Sequence, residues 1–546
     1  MDRRNFLTIG TPRVRSNRTA NYVGGAGTQT LPVFASRTAA GLEPYSGPWS
    51  YTQAAHLLRR CMVGPTEAEI LKAVSDGMSA TVDNLLKSFT PDLTAISDWA
   101  GTDAVIKPDA APTDPDYTTK YTAWQTEMFR RRAKLVAWWQ QTIATSKVSI
   151  QERMTLFWHN HFTSEMQTVN FAEFMYTQNQ LLRTSMLGNL KQFTKDVSKD
   201  MAMLIYLDGV KNFKRGNRVN INENYARELQ ELFTMGVTDW DGNPNYTQTD
   251  VSEAARALSG WTFTTSTQGA NYAGLSSQFV ASSWDNGSKT FLGQTGNWKM
   301  DDIVDIIFAQ RGDQVAKFVC GKLYRAFVYD TMDRDVVTAM AATLKGGNWE
   351  LKPVLDQLLR SAHFYDDTNI GALEKSPVEY MIGMIRSLNL GSVPDFAAQA
   401  QGRVSQDLGT RLTNLGMTLL DPPNVKGWPG GRTWISTSTL PQRQKFGIDV
   451  ANGALKLQRA AIYTLDAVAF AKTFPDPGDI HKLSADMANF LLNTPPSDME
   501  ATTLYNTLLD GGVDYEWDIN DPNQNPGARI TKFLVVLFQL AKYQLY

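Results

Sequence analysis

Trp124-Gln125-Thr126-Glu127-Met128-Phe129-Arg130-Arg131-Arg132-Ala133-Lys134-Leu135-Val136-Ala137-Trp138-Trp139 decides the fold class. Trp124, Met128, Leu135, Trp138 and Trp139 recur at helical spacing, which makes one apolar stripe on a long helix expected over roughly 118–146. Arg130, Arg131, Arg132 and Lys134 interrupt the stripe; they read as a solvated helical face, with an anion contact as the alternative. A stripe of that length needs other helices to cover it.

Outward from it, the same period predicts helices over 51–62, 80–89, 150–166, 169–186, 189–197, 222–235 and 250–258, and again from 301 to about 390. Two segments depart from the pattern. Residues 261–298 are rich in Thr, Ser, Gly and aromatic residues, so a small β and loop excursion is expected there. Residues 421–432 hold Pro422, Pro423 and Pro429 with Gly427, Gly430 and Gly431, which predicts an irregular loop. The expected architecture is mainly α: a large multi-helix globular array over 48–546, either one body or two packed subdomains (48–260 and 300–546) joined by the β/loop insert.

Composition bounds the function. Hydrophobic residues at 42% and charged residues at 20% belong to a globular chain. The net charge of -2 argues against a nucleic-acid-coating protein, and no apolar run approaches the ~20 residues of a membrane-spanning helix. Cys61 and Cys320 are too few for a disulfide framework or a cysteine-rich zinc site. Residues 1–40 carry six arginines against Asp2, a net +5 that leaves -7 for the remainder. Arg3-Arg4-Asn5-Phe6-Leu7 is similar to the core of a twin-arginine export signal, yet Thr8–Ala20 lacks the apolar segment such a signal needs. Residues 1–47 therefore read as a flexible basic arm or a degenerate export signal. Export would place the protein in the periplasm or outside the cell, and without it the chain would be cytoplasmic.

Chemistry concentrates in two segments. Glu152 to Phe162 contains His159 and His161, imidazoles of the type that bind iron, manganese or zinc. On one helix, residues two apart diverge by about 200°, so both reach one ion only if the helix ends between them or the segment is extended. The alternative is that one histidine packs among Phe157, Trp158 and Phe162 while the other caps a carbonyl. The second segment runs from Asn222 to Phe233. There Glu223, Arg227 and Glu231 share a helical face, and Glu228 lies at the apolar boundary, where desolvation suits a general acid. An exposed ion-pair ladder, Glu223–Arg227–Glu231, is the competing explanation. If the two segments meet, His159, His161 and Glu228 form a metal set, and Glu228, Glu231, Asp285 and Lys289 are the catalytic candidates. Arg227, Trp261, Lys426 and Trp428 are candidate binding residues. GxSxG, phosphate-loop and HExxH motifs are lacking.

Taken together, seven blocks resemble the large bacterial domain-of-unknown-function 1800 family. They begin His56-Leu57-Leu58-Arg59-Arg60, Phe157-Trp158-His159-Asn160-His161-Phe162, Ala202-Met203-Leu204-Ile205-Tyr206-Leu207-Asp208 and Asn222-Glu223-Asn224-Tyr225-Ala226-Arg227-Glu228-Leu229. Gly260-Trp261-Thr262, Lys289-Thr290-Phe291-Leu292-Gly293 and the Pro422–Gly431 loop complete the series. The resemblance implies a mainly helical, often exported protein. It also implies a protein partner from the phosphatase- or sulfatase-like domain-of-unknown-function 1501 family. One departure stands out: Trp284-Asp285 occupies the place of a His-Asp pair in the family pattern. The function these readings lead to is metal-assisted or acid–base hydrolysis of a polymer or ester, with a binding or structural component of an exported assembly as the alternative.

Overall fold

In the computed structural model the tryptophan stripe lies on the helix Tyr117–Ala144, 28 residues long, within two residues of its expected bounds. Leu135, Trp138 and Trp139 are fully buried, and each buried indole finds an acceptor: Trp138 Nε1 donates to the Asp92 carbonyl (2.7 Å) and Trp139 Nε1 to Glu152 Oε2 (3.0 Å). Three of the interrupting cations are ion-paired, Arg130 with Asp98 and Glu127, Arg131 with Glu127 and Glu173, and Lys134 with Asp98, while Arg132 donates to the Asn170 carbonyl (3.0 Å).

The structure describes residues 41–105, 107–108, 113–265, 272–390, 404–453, 455–457, 460–463 and 465–546. Most of the basic arm, including the twin-arginine-like stretch, lies outside them. The chain is mainly α, with about 58% of it helical. Side-chain caps set several starts. Thr66 with Glu69, Thr247 with Asp250, Ser376 with Glu379 and Ser497 with Glu500 each close a reciprocal capping box. The described residues form one unit, and its buried core runs from Ala54 to Tyr543.

The excursion expected over 261–298 is present. Trp261–Thr265 and Tyr272–Phe279 pair antiparallel with Trp261 opposite Phe279, Ala104–Val105 adds a third strand, and Lys289–Phe291 pairs with Gln294–Gly296. Two helices near the histidines differ from the sequence reading. The helix expected over 150–166 stops at His161, and a separate turn, Met166–Val169, follows. The helix expected over 222–235 is α only across Asn224–Glu228 and continues as a π-helix, Leu229–Thr234. Thr234 Oγ1 bonds the Leu229 carbonyl (2.6 Å), a side-chain bond across that widened turn.

Candidate functional site at the end of the 151–161 helix

The helix Gln151–His161 is anchored at its first turn by charge. Glu152 and Arg183, both buried, form a bidentate pair with 2.9 Å contacts at each oxygen. Trp139 donates to the same carboxylate, and Arg183 Nη1 reaches Asn179 Oδ1 at 2.5 Å. An ion pair so well supplied with hydrogen bonds fixes the helix rotation, because no rotated arrangement keeps both charges paired.

Fixing the first turn aims the last one. His159, Asn160 and His161 leave it in different directions. His159 lies against Trp139 (centroids 5.6 Å, near-perpendicular) and Trp428 (5.5 Å). Its Nε2 and the Trp428 Nε1 are both buried without a hydrogen-bond partner among the described residues. Burial drives the His159 proton affinity down to about 3, so the ring is neutral. Asn160 Oδ1 accepts from the Trp428 backbone N–H at 2.6 Å, tying the Pro/Gly loop to the helix. Gly427 makes that approach feasible: with φ at 83°, its missing Cβ would lie 2.1 Å from Asn160 Oδ1.

His161 points the other way, at the end of the π-helix. Its Nε2 lies 3.1 Å from the Phe233 carbonyl and its Nδ1 lies 3.0 Å from Lys322 Nζ. A carbonyl only accepts, so Nε2 carries the proton and Nδ1 accepts from the lysine. Lys322 also donates to the Leu232 carbonyl at 3.0 Å. Two side chains thus cap two terminal carbonyls of Leu229–Thr234. Burial pulls the Lys322 amine down to about 7, with the nearby Arg325 charge adding to the effect. Burial and the Lys322 charge together hold His161 well below its usual range, against the opposing Phe233 carbonyl bond.

Three sequence blocks therefore converge here: 157–162, the end of 222–234, and 422–431. The expected metal set does not assemble with them. His159 and His161 face opposite sides of one helix, and both His161 nitrogens are engaged. Among the described residues, no group of three or more His, Cys, Asp or Glu side chains is placed to hold an ion.

The remaining candidates sit apart. Arg227 pairs with Glu223 (3.0 Å) and Gln248 (2.9 Å), so half of the expected ladder is made. Glu231 instead accepts from the Tyr246 hydroxyl at 3.2 Å, because the π-turn carries it off the Arg227 row. Glu228 ends the preceding α segment and is half-buried, as the boundary position implies. Asp285 is buried and salt-bridged to Arg256 (2.9 Å) and Lys214 (3.3 Å), which hold its carboxyl far below the usual range despite burial. Lys289, also buried, donates to the Gly287 carbonyl (2.8 Å) and stands 4.6 Å over the Trp284 ring; burial lowers its affinity to about 8. Trp261 packs on Phe279 at 5.7 Å. Lys426 is exposed, whereas Trp428 is buried against His159 rather than open to a partner.

Sequence reasoning missed Asn160 and Lys322. The available signal for Lys322 was its position three and four residues after Val319 and Phe318, on the apolar side of the helix Gly312–Phe327.

The chain belongs to the family described as Protein of unknown function (DUF1800), whose match spans residues 56–545, nearly the whole chain. No curated protein and no solved structure matches it. Among the described residues, no helix is long and apolar enough to cross a membrane.

Proposed function

We propose that this family member is an exported protein that performs metal-free acid–base hydrolysis, with Lys322 as the base and His161 as its positioning residue. One observation carries the reading. A neutral amine has two hydrogens, and both are engaged, one by His161 Nδ1 and one by the Leu232 carbonyl, which leaves its lone pair without a donor among the described residues. An amine with a proton affinity near 7 accepts a proton from an attacking water and returns it to the leaving oxygen. Extracellular polymers or esters are the proposed substrate class; export rests on Arg3-Arg4-Asn5-Phe6-Leu7. The test is a panel of chromogenic esters and glycosides with wild type, Lys322→Met and Lys289→Met. Hydrolysis lost only in Lys322→Met supports the proposal. Unchanged hydrolysis in that variant removes it, as does amine-labelling mass spectrometry that finds Lys322 titrating like a surface lysine.

A second reading, a non-catalytic partner surface, is favoured by one local feature. Exposed Lys299 stands over Phe279 (5.3 Å) and Trp284 (5.2 Å), beside Trp261. This ledge is the proposed contact for a phosphatase- or sulfatase-like partner of the domain-of-unknown-function 1501 family. Co-expression with such a partner tests it: complex formation that survives Lys299→Glu together with Phe279→Ser rules the ledge out.

A further inference from the structure

Away from that site, the helices Tyr51–Cys61, Glu67–Asp76 and Ile480–Leu491 border a cleft of about 450 Å³. Its apolar wall includes Leu71, which is 42% exposed, and Pro495. Its polar groups are unusually short of partners. Glu67 is only 9% exposed; one of its oxygens accepts from the Tyr51 hydroxyl, and the other has no donor among the described residues. Asp486, half-buried across the cleft, has no hydrogen bond or ion pair among them either. Asn493 donates through Nδ2 to the Leu545 carbonyl, while its Oδ1 is buried without a partner.

Arg59 lines the same cleft without closing this deficit, because its guanidinium is committed elsewhere. It donates to the Leu492 carbonyl (3.1 Å), the Asn489 carbonyl (3.2 Å) and the Phe490 carbonyl, at the end of the Ile480–Leu491 helix. Burial raises the proton affinity of Glu67 against the pull of Tyr51 and Arg59, and burial with the Asp476 charge raises that of Asp486. Both carboxylates are held where a cation would relieve them.

We propose that this cleft binds a primary ammonium group carried on a small organic stem. An ammonium presents three hydrogens, and the cleft offers open acceptors in the free oxygen of Glu67 and the Asp486 carboxylate, with the unpartnered Asn493 Oδ1 buried in its wall. Calcium or magnesium fits less well, since either takes six or more oxygen ligands and the cleft supplies two carboxylates. Leu71 and Pro495 would take the stem, which is either an alkyl chain, as on a lysine side chain, or an amino sugar.

The test uses the full-length protein and ligand-observed NMR. Pentylammonium and glucosamine are the probes, pentanol and N-acetylglucosamine their uncharged counterparts, and calcium the competing cation. At least one amine binds while its uncharged counterpart does not, and which amine binds identifies the stem. Asp486→Asn, and separately Glu67→Gln, which preserves the Tyr51 hydrogen bond, weaken that binding about ten-fold or more with unchanged circular dichroism. Binding of neither amine, equal binding in both variants, or calcium binding that displaces the amine overturns the proposal.

Discussion

Lys322 Nζ lies 3.0 Å from His161 Nδ1, across 161 residues of sequence, and this pair joins the end of the Gln151–His161 helix to the end of the π-helix. The ring reaches the π-helix through one nitrogen and the lysine through the other, so its tautomer and its orientation are set together.

The first prediction concerns the stability that this amine links to pH. Its affinity falls from 10.5 in the unfolded chain to about 7 in the folded one. Between those values the unfolded chain holds a proton the folded chain lacks, so unfolding free energy rises with pH across that window. After allowance for the partial exposure of Lys322, the rise is about 3 kcal/mol. Urea titrations of Lys322→Met between neutral and alkaline pH are expected to show a correspondingly flatter dependence. Curves parallel to those of wild type would assign the dependence to other groups.

The helical architecture was legible because period 3.6 and capping residues act locally, and the divergence of His159 from His161 followed from helix geometry alone. The packing alternative for the two histidines holds only in part: His161 both packs against Phe157, Trp158 and Phe162 and caps the Phe233 carbonyl, while His159 lies against Trp139 and Trp428, which that alternative did not name. The π-turn was not legible. A single wide turn leaves no periodic trace in so short a segment, yet it moves Glu231 from Arg227 to Tyr246. Lys322 and Arg183 acquire their meaning only from residues distant in sequence, and a one-dimensional pattern carries no such pairing. The hairpin of Phe213–Arg215 with Arg218–Asn220 escaped notice because three-residue strands are too short to establish an alternation.

Glu152 and Arg183 supply the second prediction. Removing either partner leaves the other charge buried, at a cost of about 3 to 5 kcal/mol. Glu152→Ala and Arg183→Ala are each expected to lower the denaturation midpoint strongly. The double variant should lose much less than the sum, since neither charge remains uncompensated. Additive losses in that cycle would mean that the pair does not set the rotation of the helix.

The third prediction runs in the opposite direction with pH. Asp200 caps the Met201–Tyr206 helix through Met203 N–H (3.0 Å) and accepts from Gln178 (2.8 Å), but burial raises its carboxyl from 3.8 to about 7. Between those values the folded chain holds the extra proton, so stability is greatest below the unfolded value and is lost as pH rises through about 7. Asp200→Asn keeps a capping oxygen and removes the titration. Its unfolding free energy should be nearly constant from mildly acidic to neutral pH, where that of wild type declines by up to about 4 kcal/mol. A decline of equal size in both proteins would exclude Asp200 as the source.

The fourth prediction separates close packing from backbone conformation in the Pro422–Gly431 loop. Gly427 and Gly430 both have positive φ, 83° and 72°, so alanine is strained at either position. Only at Gly427 does the added Cβ also meet the Asn160 side chain at 2.1 Å and the Asn160 backbone oxygen at 2.6 Å; at Gly430 nothing lies within 4 Å. Gly430→Ala should therefore cost about 1 kcal/mol, the conformational penalty alone. Gly427→Ala must in addition displace the loop and stretch the bond from the Trp428 N–H to Asn160, for a total of about 2 to 4 kcal/mol. Hydrogen exchange at the Trp428 amide distinguishes the two: its protection falls in Gly427→Ala and is retained in Gly430→Ala. Equal losses in the two variants would mean that the loop is not held to the histidine helix through Asn160. His159, against which Trp428 packs, would then owe its environment to the helix and Trp139 alone.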